Sequence, residues 1–74
     1  MLFPINQTKI GSTFRICQFG CSSECAQRLR QHGCCEGAKC KVLSKQKQLI
    51  VRIGETRLAL DKSLANSILG NIED

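Results

Sequence analysis

The sequence predicts a mainly β fold, a small barrel of about five strands with one short helix after the first strand. Three observations predict it. Short apolar segments alternate with glycine-marked turns, the pattern of strands joined tightly. One segment, residues 24–32, places its apolar side chains at helical spacing. The 74 residues are 42% apolar but include only three aromatic residues, all phenylalanine, too little material for two packed layers of substantial size. A chain this short is one domain and buries only about 60% of the surface its unfolded form exposes. Its core must come from Leu, Ile, Val and Cys, which suits a small barrel better than a disulfide-held scaffold.

Residues 1–10 read as a lead-in that tucks Leu2, Phe3 and Ile5 against a barrel formed by residues 11–73, with Pro4 opposing regular pairing. Gly11 marks the turn into the first strand, Thr13–Phe19, where Phe14 and Ile16 share one face and Arg15 and Cys17 the other. Gly20 breaks that strand. Ser22 or Ser23 then caps the helix by accepting a backbone N–H, Glu24 suits the positive end of the helix dipole, and Gly33 ends it in the left-handed conformation. Cys25, Ala26 and Leu29 form its apolar stripe, while Gln27, Arg28, Arg30 and Gln31 face outward.

Gly37 turns the chain into a strand over residues 39–43, with Cys40 and Val42 on one face and Lys39, Lys41 and Leu43 on the other. Residues 44–48 are a polar connection to the strand Leu49–Ile53. Gly54 and Glu55 make a two-residue hairpin turn, and glycine in first place predicts type II′ geometry. Residues 57–60 return with Leu58 and Leu60 inward. Asp61 ends the strand, residues 62–66 form a single helical turn, and residues 67–72 close the barrel. No internal repeat or low-complexity stretch is present.

Composition restricts the function classes. The net charge is +5, from 11 Lys and Arg against 6 acidic residues, which favours acidic partners, although the charges form no block and also suit a plain solvated surface. Nucleic-acid binding ranks last among these options, because stacking platforms need exposed aromatics and Phe14 and Phe3 are expected in the core, leaving Phe19. The N-terminus lacks a basic region followed by an apolar h-region, and no apolar run approaches the ~18 residues that would span a bilayer. These features lead to the expectation of a cytoplasmic chain with mostly reduced thiols, despite six cysteines. A phosphate-cradling Gly-x-x-x-x-Gly-Lys-Ser/Thr loop is missing, so the sequence offers no nucleotide site of that type. Glu24, Glu36, Glu55 and Asp61 are isolated in sequence and form no carboxylate pair for acid–base work.

The cysteines leave two readings open. Cys25 and Cys40 suit small core positions. Cys17, Cys21, Cys34 and Cys35 lie near turns that folding can gather at one end of the barrel, where they would hold iron or zinc. Their spacing is not that of a zinc knuckle, and adjacent Cys34 and Cys35 diverge. His32 serves either the helix C-terminus or such a metal site.

Three segments occur in an informative order: Gly11-Ser-Thr-Phe-Arg-Ile; then Arg28-Leu-Arg-Gln-His-Gly-Cys-Cys-Glu-Gly-Ala-Lys-Cys-Lys-Val-Leu; then the hairpin Leu49-Ile-Val-Arg-Ile-Gly-Glu followed by Thr56-Arg-Leu-Ala-Leu. Over roughly residues 5 to 73 this resembles the FeoA family, ferrous iron transport protein A. The resemblance implies a single SH3-like barrel with a helix inserted after the first strand. It also implies a non-enzymatic accessory of ferrous iron uptake, requiring no cofactor and reaching the membrane only through its partner. That partner would be the FeoB iron permease, docked on its cytosolic side through its GTP-binding domain. Arg28, Arg30 and Gln31 on the helix and Arg57 at the hairpin are then the candidate contacts. The cysteine set is not a general property of that family, so a cysteine-based iron or zinc sensor or carrier stands as the alternative. Similar barrels also end metal-dependent repressors, but this chain shows no helix-turn-helix segment, which favours the stand-alone form.

Overall fold

The computed structural model describes residues 1–73. In chain order its elements are β1 (Phe3–Pro4), a 3-10 turn (Ile5–Gln7), β2 (Thr13–Phe19), α1 (Ser23–Gln31), β3 (Lys39–Ser44), β4 (Leu49–Ile53), β5 (Thr56–Leu60), α2 (Lys62–Ser67) and β6 (Ile68–Ile72). The strands form one sheet in the order β1-β6-β2-β3-β4-β5, and every neighbouring pair is antiparallel.

Two bulges curl this sheet around its own core. Ile16 pairs with Gly70 and Gln18 with Leu69, which leaves Cys17 as an extra residue in β2. Val42 pairs with Val51 and Ser44 with Ile50, which leaves Leu43 extra in β3. A bulge bends its strand and increases the local twist. It also shifts the alternation of side chains, so that Phe19, not Gln18, packs against the core. Phe14, Ile16, Val42, Val51, Leu60 and Ile68 fill that core, joined by Ile5 and Leu29 from outside the sheet.

The helices begin and end for local reasons. Ser22 Oγ accepts the Cys25 N–H at 3.3 Å, a cap that contributes about 1 kcal/mol, and Glu24 occupies the first turn. At the other end Gly33, with φ of 87°, allows the chain to reverse. The Gly33 N–H donates to the Arg30 carbonyl at 3.1 Å and the Cys34 N–H to the Leu29 carbonyl at 2.9 Å. These two bonds make a Schellman cap, which characteristically pairs the apolar residue beyond the glycine with one in the last turn. Here that pair is Cys34 and Leu29, both in the core. Asp61 caps α2, its carboxylate accepting the Leu64 N–H at 2.7 Å. Gly54 takes φ of 62° and no other residue type has positive φ among the described residues, in agreement with a type II′ hairpin.

Several expectations need correction. The sheet has six strands, because Phe3 and Pro4 pair with Gly70 and Leu69, and α1 therefore follows the second strand. Pro4 does not oppose this pairing, since β1 is an edge strand where a missing N–H is tolerated. Of Leu2, Phe3 and Ile5, only Ile5 enters the core, at 1% exposure; Leu2 and Phe3 remain 38% and 39% exposed, and the pairing of Phe3 with Gly70 lays it along the sheet edge. Cys40 is buried as expected, whereas Cys25 is only half-buried on the flank of α1. The final helical turn is a six-residue helix, so the last strand starts at Ile68.

Gly70 is buried at the crossing of β6 and β2. A Cβ there would fall on the Arg15 carbonyl oxygen, with the edge of the Phe14 ring 2.9 Å away. Neither neighbour can give, since one is ladder backbone and the other is the centre of the core. Gly70→Ala is therefore expected to cost about 3 kcal/mol or more in urea unfolding. A variant that unfolds at the wild-type midpoint would contradict this account of the β2–β6 contact.

Candidate functional site

The outer edge of β5 has no partner strand among the described residues, and α1 lies alongside it. Between them runs an open groove of about 430 Å³, lined by Cys25, Arg28, Leu29 and His32 from α1 and its cap, by Leu58, Ala59 and Leu60 from β5, and by Leu64 from α2. Its floor is leucine. Glu24 and Ser22 at one end and Arg28 and His32 farther along supply the polar rim. The composition, an apolar floor with a few polar groups, is that of a site for a peptide-like or small apolar ligand.

The residues expected to contact a partner do not form one face. Arg28 lines the groove. Arg30 points to the other flank of α1, where its guanidinium meets Glu36 at 3.0 and 2.7 Å and lies 5.6 Å from the centre of the Phe19 ring. That forked contact holds the Glu36 carboxyl down to about 2. Gln31 is exposed at the end of α1 and Arg57 on the outward face of β5. Leu58 and Leu64 were not singled out as site residues from sequence, and His32 was considered only for the helix C-terminus or a metal site. The alternation of β5 reveals that Leu58 turns inward, but not that α1 stops short of covering it.

The cysteines divide by the elements that carry them. The bulge in β2 turns Cys17 away from the others, to a side where the Asn71 amide donates to its sulfur at 3.5 Å. Cys21 and Cys25 flank the α1 cap, and the neighbouring Cys21 thiol raises Cys25. Cys34 lies in the Schellman cap, and burial, with the nearby Cys40, Cys35 and Cys21, pushes its thiol up to about 12. Burial pushes Cys40 up to about 11. Cys35 is half-buried next to Cys34. Of the four proposed ligands, then, Cys21, Cys34 and Cys35 are neighbours and Cys17 is apart. No group of three or more His, Cys, Asp or Glu is arranged around one point as metal ligands among the described residues.

Comparison with known proteins gives a family and a fold. The FeoA domain model matches residues 3–71. The crystal structure of an iron uptake regulatory protein, FeoA, is similar at a TM-score of 0.88 and 23% identity, over 99% of each chain. A FeoA-like protein from Clostridium acetobutylicum is similar at 0.82 and 20% identity, over 96% of this chain and 86% of that one. The T. acidophilum IdeR structure is similar at 0.88 and 18% identity; 97% of this chain corresponds to 34% of that protein. No curated protein matches the chain. No helix among the described residues is long and apolar enough to cross a membrane.

The thiol environments make a direct prediction. Only the thiolate is nucleophilic, so at neutral pH Cys34 should react with iodoacetamide on the order of a thousandfold more slowly than a free thiol, given its rise from 9.0 to about 12. Cys40 should also lag, and both should catch up in denaturant. Mass mapping of the alkylated peptides checks this; early labelling of Cys34 would show that its cap opens readily.

Proposed function

The chain belongs to the FeoA domain family, which places it in ferrous iron transport as an accessory domain, and from that premise we propose that it docks on the cytosolic side of the FeoB permease and modulates it. In this reading the protein carries out no chemistry of its own. It binds one conformation of the permease better than another and so shifts the balance between them. The observation that carries the reading is the leucine-floored groove beside the free edge of β5. An extended segment of a partner can add to such an edge through backbone hydrogen bonds, while alternate side chains enter the groove. Arg28 and His32 at the rim select an acidic or hydrogen-bonding residue at one end of that segment.

The test is a titration of isotope-labelled protein with the GTP-binding domain of the matching permease under reducing conditions. Amide shifts are expected along α1 and β5. Arg28→Glu, an exposed change that leaves the core alone, should weaken binding by about tenfold, equivalent to roughly 1.4 kcal/mol. Amides of α1 and β5 that stay unmoved at saturating domain would dispose of the docking proposal.

One observation keeps a second reading, an iron or zinc sensor or carrier, in play. Cys21 and Cys35 are neighbours of Cys34, which brings three of the four cysteines expected to hold iron or zinc to one end of α1, although among the described residues they are not arranged around one point. Protein purified under reducing conditions would then carry stoichiometric iron or zinc by elemental analysis, and metal well below one equivalent would discard this reading.

A further inference from the structure

The outward face of β3, β4 and β5 carries a row of cations that the groove does not use. Lys41 lies directly opposite Arg52, and Arg52 directly opposite Arg57. All three side chains are exposed. Residues directly opposed in antiparallel strands have Cβ atoms about 4.5–5.5 Å apart, so three positive charges cross three strands within about 10 Å. Like charges so placed destabilise a sheet, and Arg52 is repelled from both sides.

The same sheet shows how such a conflict is relieved from within. Arg15 and Lys39 are also directly opposed, and there Glu73 sits between them, 2.6 Å from Arg15 and 3.6 Å from Lys39. No acid does this for Lys41, Arg52 or Arg57 among the described residues: the ion pairs formed are Arg15–Glu73, Arg30–Glu36 and Lys39–Glu73. Glu55, two residues before Arg57, forms none with it.

We propose that the Lys41–Arg52–Arg57 row is a binding surface for an acidic helix of a partner protein, whose carboxylates take the place that Glu73 takes beside Arg15 and Lys39. The spacing selects a helix. Side chains at i and i+4 on a helix stand about 5–6 Å apart, close to the cross-strand step, whereas same-side residues of an extended strand stand about 6.6–6.8 Å apart. The surroundings select a protein. Single-stranded nucleic acid is held by stacking on aromatic rings, and no phenylalanine lies on β3, β4 or β5. Membrane surfaces are held by cations together with inserted apolar side chains, and the exposed large apolar residues, Met1, Leu2, Phe3, Ile10 and Ile72, all lie elsewhere in the chain. Arg57 and the groove-lining Leu58 are consecutive on β5 and face opposite ways, so this surface and the groove can be tested separately.

The probe is a helical alanine-based peptide with glutamate at every fourth position. Amide shifts are expected at Lys41, Arg52 and Arg57 and not along α1, with affinity falling as salt is raised. Arg52→Glu places an acid between two cations. It should raise the melting temperature at low salt while weakening peptide binding by at least about tenfold; Arg52→Gln should move both readouts in the same directions by less. The proposal is overturned if Arg52→Glu binds the peptide as well as wild type, or if it melts no higher. It is also overturned if the row responds to a thymidine oligonucleotide or to phosphatidylserine vesicles and not to the peptide.

Discussion

The close approach of β2 and β6 is the constraint on which the rest of this small protein depends. The two strands meet with no room for a side chain at Gly70, which lies against the Arg15 carbonyl and the rim of the Phe14 ring. That contact joins an early strand to the last one across most of the chain. It lets β1 dock on the far side of β6, sets Glu73 beside Arg15 and Lys39, and, with the two bulges, curves the sheet enough to enclose a core built on a single central phenylalanine. Few of these contacts are local, so folding must close a long loop before the core gains its packing.

Local chemistry was legible wherever one residue type had one physical use. Gly33 announced the end of α1, the Ser22-Ser23 pair its start, Gly54 a type II′ turn and Asp61 the start of α2, and each acts through its own backbone or nearest neighbours. The alternation of Phe14, Ile16, Cys40 and Val42 gave their inward faces correctly. What escaped was set by pairing at a distance. Nothing near Pro4 shows that it will lie on an edge, and nothing near Cys17 shows that β6 will skip it. The groove escaped for the same reason, since it is the gap left between a helix and a strand that are thirty or so residues apart in the chain.

The cysteines illustrate how sequence proximity misleads. Cys17, Cys21 and Cys25 are evenly spaced, yet the bulge sends Cys17 to the far side and leaves the other two as a pair. Cys34 and Cys35 are adjacent and have different environments. Cys34 is the apolar residue that a Schellman cap places against the helix it ends, and the signal for this, an apolar residue directly after the helix-ending glycine, was present in the sequence.

The unpaired edge of β5 carries one more consequence, for how the molecule behaves among copies of itself. A free strand edge is a template for any other strand, including the same edge of a second molecule. Two such edges brought together would also bring together two sets of the same cations, from Arg57 and the residues behind it, so repulsion between like molecules guards the edge in dilute electrolyte. Concentrated salt screens that repulsion while leaving the backbone edge as adhesive as before. At this edge, charge repulsion therefore opposes self-pairing, and the protection weakens as the ionic strength rises.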